Sequence, residues 1–136
     1  VNLADTGPLV AIADKNDPDH FRCVSATKTL PKSPLLTTWP CFTEAMYLLH
    51  RQGGYWAQAM LWQFRRTGNL VVHELTVAEA DRMDVLMKQY RDTPIELADA
   101  FLAAIAESQH ISRIFTIDQH FRACRFHVSG VFNLVS

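Results

Sequence analysis

The chain has 136 residues, 49% of them hydrophobic and 20% charged, with a formal net charge of -1. That length suits one domain able to bury roughly two thirds of its unfolded surface, so neither a disulfide nor a structural zinc is needed to hold it. So even a charge balance supplies no global positive field, and any nucleic-acid contact must come from local cations.

Cys23, Cys41 and Cys124 are odd in number and form no Cys-x-x-Cys pair. They read as free thiols in a reducing compartment such as the cytoplasm. No apolar run nears the ~18 residues that a membrane span needs. The opening segment has an early Asp5 and no basic flank, so it does not read as a signal peptide. Residues 1–136 are expected to form a single domain.

In chain order, Val1 to Ala4 reads as a strand ending at the turn Asp5-Thr6-Gly7-Pro8. Leu9 to Asp14 is a short helical stretch, and a second helix runs from about His20 to Leu30. Pro31 and Pro34 punctuate, Leu35 to Thr38 is a short strand, and Pro40 opens a helix through about His50. Gly53-Gly54 breaks it before an amphipathic helix from Tyr55 to Arg66. Leu70 to His73 is a strand. Thr76 and Glu79 form a capping box for a helix to about Tyr90. A second box, Thr93 to Glu96 with Pro94 inside it, starts a helix to about Gln109. Arg113 to Ile117 is a strand, a short helix follows Asp118, and Val131 to Val135 is a last strand. Strands that alternate with helices imply an α/β fold of three layers, a mainly parallel central sheet flanked by helices. Sites in such sheets form at the carboxyl ends of strands.

Asp5 and Asp118 fall at strand ends, where ordinary N-cap or turn chemistry also accounts for them. Glu44 and Asp99 have apolar helical surroundings. Pro40, Cys41, Tyr47 and Leu48 neighbour Glu44, Ile95, Glu96, Leu102 and Ala103 neighbour Asp99, and no Lys or Arg stands at salt-bridge spacing. A helix apolar nearly all round is a buried one, so each acid is expected to be paired, protonated or bound to a metal. Glu96 is explained by its cap and stays a candidate outer ligand. Two carboxylates 5 Å apart repel by roughly 3 kcal/mol at an effective dielectric near 20, so a converging set needs a cation or a proton. Oxygen donors without Cys or His pairing favour Mg²⁺ or Mn²⁺ over zinc.

The ordered set resembles the PIN-domain ribonucleases, most closely the VapC-like toxins. Leu3-Ala4-Asp5-Thr6-Gly7-Pro8 resembles the family's first strand and acid, and Thr43-Glu44-Ala45 its helix-borne glutamate. Pro94-Ile95-Glu96-Leu97-Ala98-Asp99-Ala100 resembles the stretch with the third acid, and Thr116-Ile117-Asp118 the fourth. Asn2, and Glu96 where Asp is common, are mild departures. The resemblance implies a Mg²⁺- or Mn²⁺-dependent endoribonuclease with Asp5, Glu44, Asp99 and Asp118 as metal ligands and catalytic acids. It further implies a homodimer and an antitoxin partner. Thr6 and Thr116 adjoin acids, although turn and strand chemistry suits both. RNA contacts are expected from scattered cations such as Arg65, Arg66, Arg91, Arg113, Arg122 and Arg125. Trp39, Tyr55 and Trp56 read as core or dimer contacts.

Rival readings are a PIN nuclease of RNA processing without an antitoxin, a phospho-receiver module, and a catalytically silent RNA-binding domain. A receiver needs a Lys after a late strand, and none follows Thr116 or Val131. The presence of all four acids weighs against the silent domain. The chain lacks the glycine-rich nucleotide-binding motifs, Gly-x-Ser-x-Gly and His-Glu-x-x-His.

Overall fold

Strand β1 (Asn2–Ala4) lies between β2 (Leu35–Thr37) and β4 (Ile114–Phe115), and β3 (Leu70–Val72) extends the sheet beyond β2, with every pairing parallel. The computed structural model describes residues 2–28, 34–92, 97–111 and 114–117, with Ala98 and Asp99 described in backbone only. β1 is buried along its whole length, as expected of a parallel strand covered on both faces.

The helices are α1 (Thr6–Ala13), α2 (His20–Thr27), α3 (Trp39–Arg66), α4 (Val77–Gln89) and α5 (Leu97–Ser108). From β1 the chain steps to β2 and then β3, and it returns to the opposite side of β1 as β4. Right-handed crossovers put α1, α2 and α3 on one face and α4 and α5 on the other. In keeping with this, α1 packs on α2 and α3, and α4 packs on α5. The strand order reverses between β1 and β4, and that switch point opens a crevice at their carboxyl ends. A phospho-receiver places β3 beside β1. Here β3 pairs with β2, so the receiver reading is rejected.

Several elements differ from the sequence expectation at their ends. α1 starts at Thr6 rather than Leu9, because Asp5 caps it and Pro8 falls in the first turn, where no amide hydrogen is needed. The described part of α2 ends at Thr27. The expected box at Thr93 to Glu96, the helix after Asp118 and the strand Val131 to Val135 lie outside the described residues.

The break at Gly53-Gly54 is a reversal. Gly54 has φ 68 and ψ -158, a combination open essentially to glycine alone. Beyond it, Gln58 Nε2 donates to the Met46 carbonyl at 3.0 Å, and the rings of Phe42 and Trp62 sit 4.9 Å apart. In a straight helix those two rings would be about 30 Å apart, so the two arms of α3 fold back as an antiparallel hairpin. The turn leaves Tyr55 and Trp56 64% and 79% exposed, and Trp39 is 40% exposed. None of the three is the core residue that the sequence allowed.

On the other face, α5 is buried from Ala100 to Ala106. α4 is fastened to it through Glu79. The capping box is complete, with the Glu79 amide donating to Thr76 Oγ1 at 3.1 Å and the Thr76 amide to Glu79 Oε1 at 3.0 Å. The same carboxylate accepts from Ser108 Oγ at 2.6 Å and faces His73 Nε2 at 2.9 Å. Burial alone would raise its pKa, but the donors from Ser108, Thr76 and His73 outweigh burial and hold it down at about 2. Arg82 and Glu107 add a two-pronged ion pair between the helices at 2.7 and 3.0 Å.

Two outcomes follow from these contacts. A carboxylate whose pKa is depressed by folding contributes its stability fully above its unfolded value, and loses it as pH falls toward the folded one. Glu79→Gln should therefore lower the urea midpoint at pH 7, and the gap to the unmodified protein should close between about pH 4.5 and 2. Gly54→Ala should cost about 1–3 kcal/mol of stability in the same assay, whereas Ala at an exposed helical position such as Gln63 should cost little.

Candidate active site

Asp5 sits one residue beyond β1, and its amide continues the β1–β4 ladder by donating to the Phe115 carbonyl at 3.0 Å. The register Ala4↔Phe115 therefore sets Asp5 beside Thr116. Both side chains are buried, at 3% and 1% exposure. Thr116 Oγ1 donates to Asp5 Oδ2 at 3.1 Å. The other carboxylate oxygen, Oδ1, accepts from the Thr6 amide at 2.7 Å, so Asp5 is the N-cap of α1. The capping explanation is thus correct as geometry, yet it uses one oxygen and leaves the second turned toward β4.

Glu44 arrives from a different element. Thr38 ends the chain segment after β2 and caps α3, accepting from the Cys41 amide at 3.1 Å. That cap fixes the first turns of α3 against α1. Thr6 Oγ1 then lies 3.3 Å from Glu44 Oε2 and 3.5 Å from the Cys41 carbonyl. Thr6 links the acids, with its amide on Asp5 and its hydroxyl on Glu44. The two threonines that turn and strand chemistry would explain are both in contact with an acid.

One expectation is corrected. Glu44 is exposed, as are Thr43 and Tyr47, while Cys41, Phe42, Ala45 and Leu49 form the buried side of the same arm. The arm is amphipathic, with a largely polar outer side that includes Thr43, Glu44, His50, Arg51 and Gln52, so burial imposes no pairing on Glu44. In α5 the residues from Ala100 to Ala106 are buried. Asp99 lies in the described part of α5, Leu97–Ser108. Its side chain, together with Glu96 and Asp118, lies outside the described residues. Among the described residues no group of three His, Cys, Asp or Glu is arranged to hold a metal.

Cys41 is a contact that the sequence reading missed. Its Sγ lies 3.6 Å from Asp5 Oδ1. Burial first, and the Asp5 charge second, push the thiol up to about 12. It stays protonated at neutral pH and serves as a weak donor to the carboxylate, not as a nucleophile. The available signal was its position one turn before Glu44, at the start of a capped helix. Of the cations expected to meet RNA, Arg65, Arg66 and Arg91 are exposed, and Arg113, Arg122 and Arg125 lie outside the described residues.

A carboxylate at the switch point of an open parallel sheet, joined to a second one from the crossover between β2 and β3, defines an α/β protein with an acidic site at the carboxyl edge. Residues 3–126 match the PIN domain family, and the chain belongs to it. It is 27% identical to ribonuclease VapC26 of Mycobacterium tuberculosis over 98% of both chains. Its fold is similar to that of M. tuberculosis VapC20, described as a sarcin-ricin loop cleaving toxin, with a TM-score of 0.81 and 18% identity over 91% of this chain and 95% of that one. It is also similar to a chain of VapBC2 from Rickettsia felis, solved bound to a DNA fragment from its promoter, with a TM-score of 0.69 and 12% identity over 99% and 98%.

Gly7 tests the packing that holds this edge together. A Cβ there would stand 2.6 Å from Ile117 Cγ1, so Gly7→Ala must displace the Ile117 side chain, α1 or the segment that follows β4. The expected result is a lower melting temperature together with a loss of any metal-dependent activity. Thr116→Ser, which keeps the hydroxyl on Asp5, should retain activity, whereas Thr116→Val should lose it.

Proposed function

We propose that this chain is a Mg²⁺- or Mn²⁺-dependent endoribonuclease that hydrolyses RNA phosphodiester bonds and acts as the toxin of a toxin–antitoxin pair. The observation that carries the reading is Asp5, buried at the switch point of a PIN fold and joined to Glu44 through Thr6. Similarity to a ribonuclease, to a toxin and to a VapBC protein supports it.

The donor set fits a hard divalent ion, since the groups offered at the edge are carboxylates and hydroxyls and the one thiol is held protonated. Asp5 and Glu44 would hold it, with Asp99 and Asp118 as the further ligands. When bound, such an ion acidifies a water and offsets charge on the phosphate. The protein's part is to keep the oxygens in place. The Thr6 amide and the Thr116 hydroxyl fix both oxygens of Asp5, and the Thr6 hydroxyl steers Glu44. An acid of the cluster accepts the proton of the attacking water, so no Ser, His or Cys nucleophile takes part.

The reading extends to a homodimer that acts in the cytoplasm and is silenced by an antitoxin. Cys23 and Cys41 are both free, which suits a reducing compartment. No helix of the described residues is long and apolar enough to cross a membrane.

Purified protein should cut single-stranded RNA with Mg²⁺ or Mn²⁺ and stop on addition of EDTA. Asp99→Asn should lower the rate by about a hundredfold or more with an unchanged circular dichroism spectrum. Normal cutting by that variant would remove Asp99 from the site. Growth arrest on expression, relieved by a co-expressed neighbouring gene, checks the toxin role.

A further inference from the structure

One exposed feature extends from Glu44 of the acid pair. Residues at i, i+3 and i+7 share a helical face, so Glu44, Tyr47 and Arg51 form a stripe along the first arm of α3. Tyr47 is 62% exposed. Arg51 is exposed, and its guanidinium carbon lies 5.8 Å from the centre of the Tyr47 ring. Among the described residues Arg51 forms no ion pair. From Glu44, which Thr6 holds, the stripe runs about 10 Å along the helix axis to Arg51.

We infer that Tyr47 and Arg51 form the track on which single-stranded RNA lies as it enters the site, with a base stacked on the Tyr47 ring and a phosphate on the Arg51 guanidinium. The inference rests on the nuclease reading above and names the side chains that position its substrate.

Three observations favour RNA over a protein on this face. The stripe is continuous with the acid that would face the scissile phosphate. It combines a flat aromatic surface with a cation, the pairing by which single strands are held without sequence readout. Its exposed neighbours Thr43, His50 and Gln52 are polar, and such side chains add hydrogen bonds to sugar and phosphate. The stripe also meets a need set by composition. With a net charge of -1, the chain requires local cations to bring a polyanion to an acidic site.

The test uses the full chain and a fluorescent single-stranded RNA of mixed sequence. Binding is read by anisotropy with Ca²⁺, and cleavage kinetics with Mg²⁺ or Mn²⁺. Tyr47→Ala should weaken binding and raise KM by about tenfold, with kcat changed by less than about twofold. Tyr47→Trp should restore both, since stacking needs only a ring. Arg51→Ala should weaken binding and reduce the slope of log affinity against log salt by about 0.7. Equal affinity and equal KM in Tyr47→Ala and the unmodified protein would overturn the track while leaving the nuclease reading intact. So would unchanged KM with lost self-association in light scattering, which would give the face to a second copy. An unmodified protein that binds RNA through Tyr47 but never cuts would sink the nuclease reading alone. One that binds no RNA at all would sink the track too.

Discussion

Parallel pairing of β1 with β4 is the constraint on which the acidic edge depends. A strand of three residues has little intrinsic stability, and its position is set by partners on both sides. With β2 on one flank and β4 on the other, Ala4 and Phe115 come into register, and the next residues along, Asp5 and Thr116, meet at the carboxyl edge. Their sequence separation is 111 residues. Slipping that register by one residue would turn every side chain of the strand to the opposite face and part the acid from its hydroxyl donor.

The two acids obey different physics. Asp5 is buried, so its charge must be offset by donors, and a backbone amide, a hydroxyl and a thiol supply them. Each hydrogen bond to a buried charge is worth more than one in water, and each also removes a rotamer. Glu44 is exposed and owes its place to a hydroxyl on α1 and to the capped start of α3. One carboxylate is rigid and the other can adjust, a combination suited to gripping an ion while leaving room for a substrate.

The other face of the molecule holds itself together by separate means. Glu79 ties the start of α4 to the end of α5 and to the exit of β3, and Arg82 repeats the tie one turn further on. The α3 hairpin buries Cys41, Phe42, Ala45, Leu49 and Leu61 in the core, while its reversal at Gly54 leaves Tyr55 and Trp56 in solvent. Both faces therefore carry core, with α1 packed on α3 beside the acids and α4 on α5 behind the sheet.

Much of this was legible in the residues. Alternating apolar strands and helices gave the layered fold, Thr76 with Glu79 gave a cap that exists as drawn, and Gly53-Gly54 marked the reversal. These features are local, and local chemistry is written in neighbouring residues. The acid at the end of β1 could likewise be read from Asp5-Thr6-Gly7-Pro8, though not its use as both cap and Thr116 acceptor. What only the tertiary structure decided was adjacency and exposure. Nothing in the spacing shows that Thr116 meets Asp5, that Cys41 points at the same carboxylate, or that the side of α3 bearing Glu44 faces water. Those facts depend on which strands pair and which helix covers which face, and such contacts are fixed by the packing of the whole chain rather than by any segment of it.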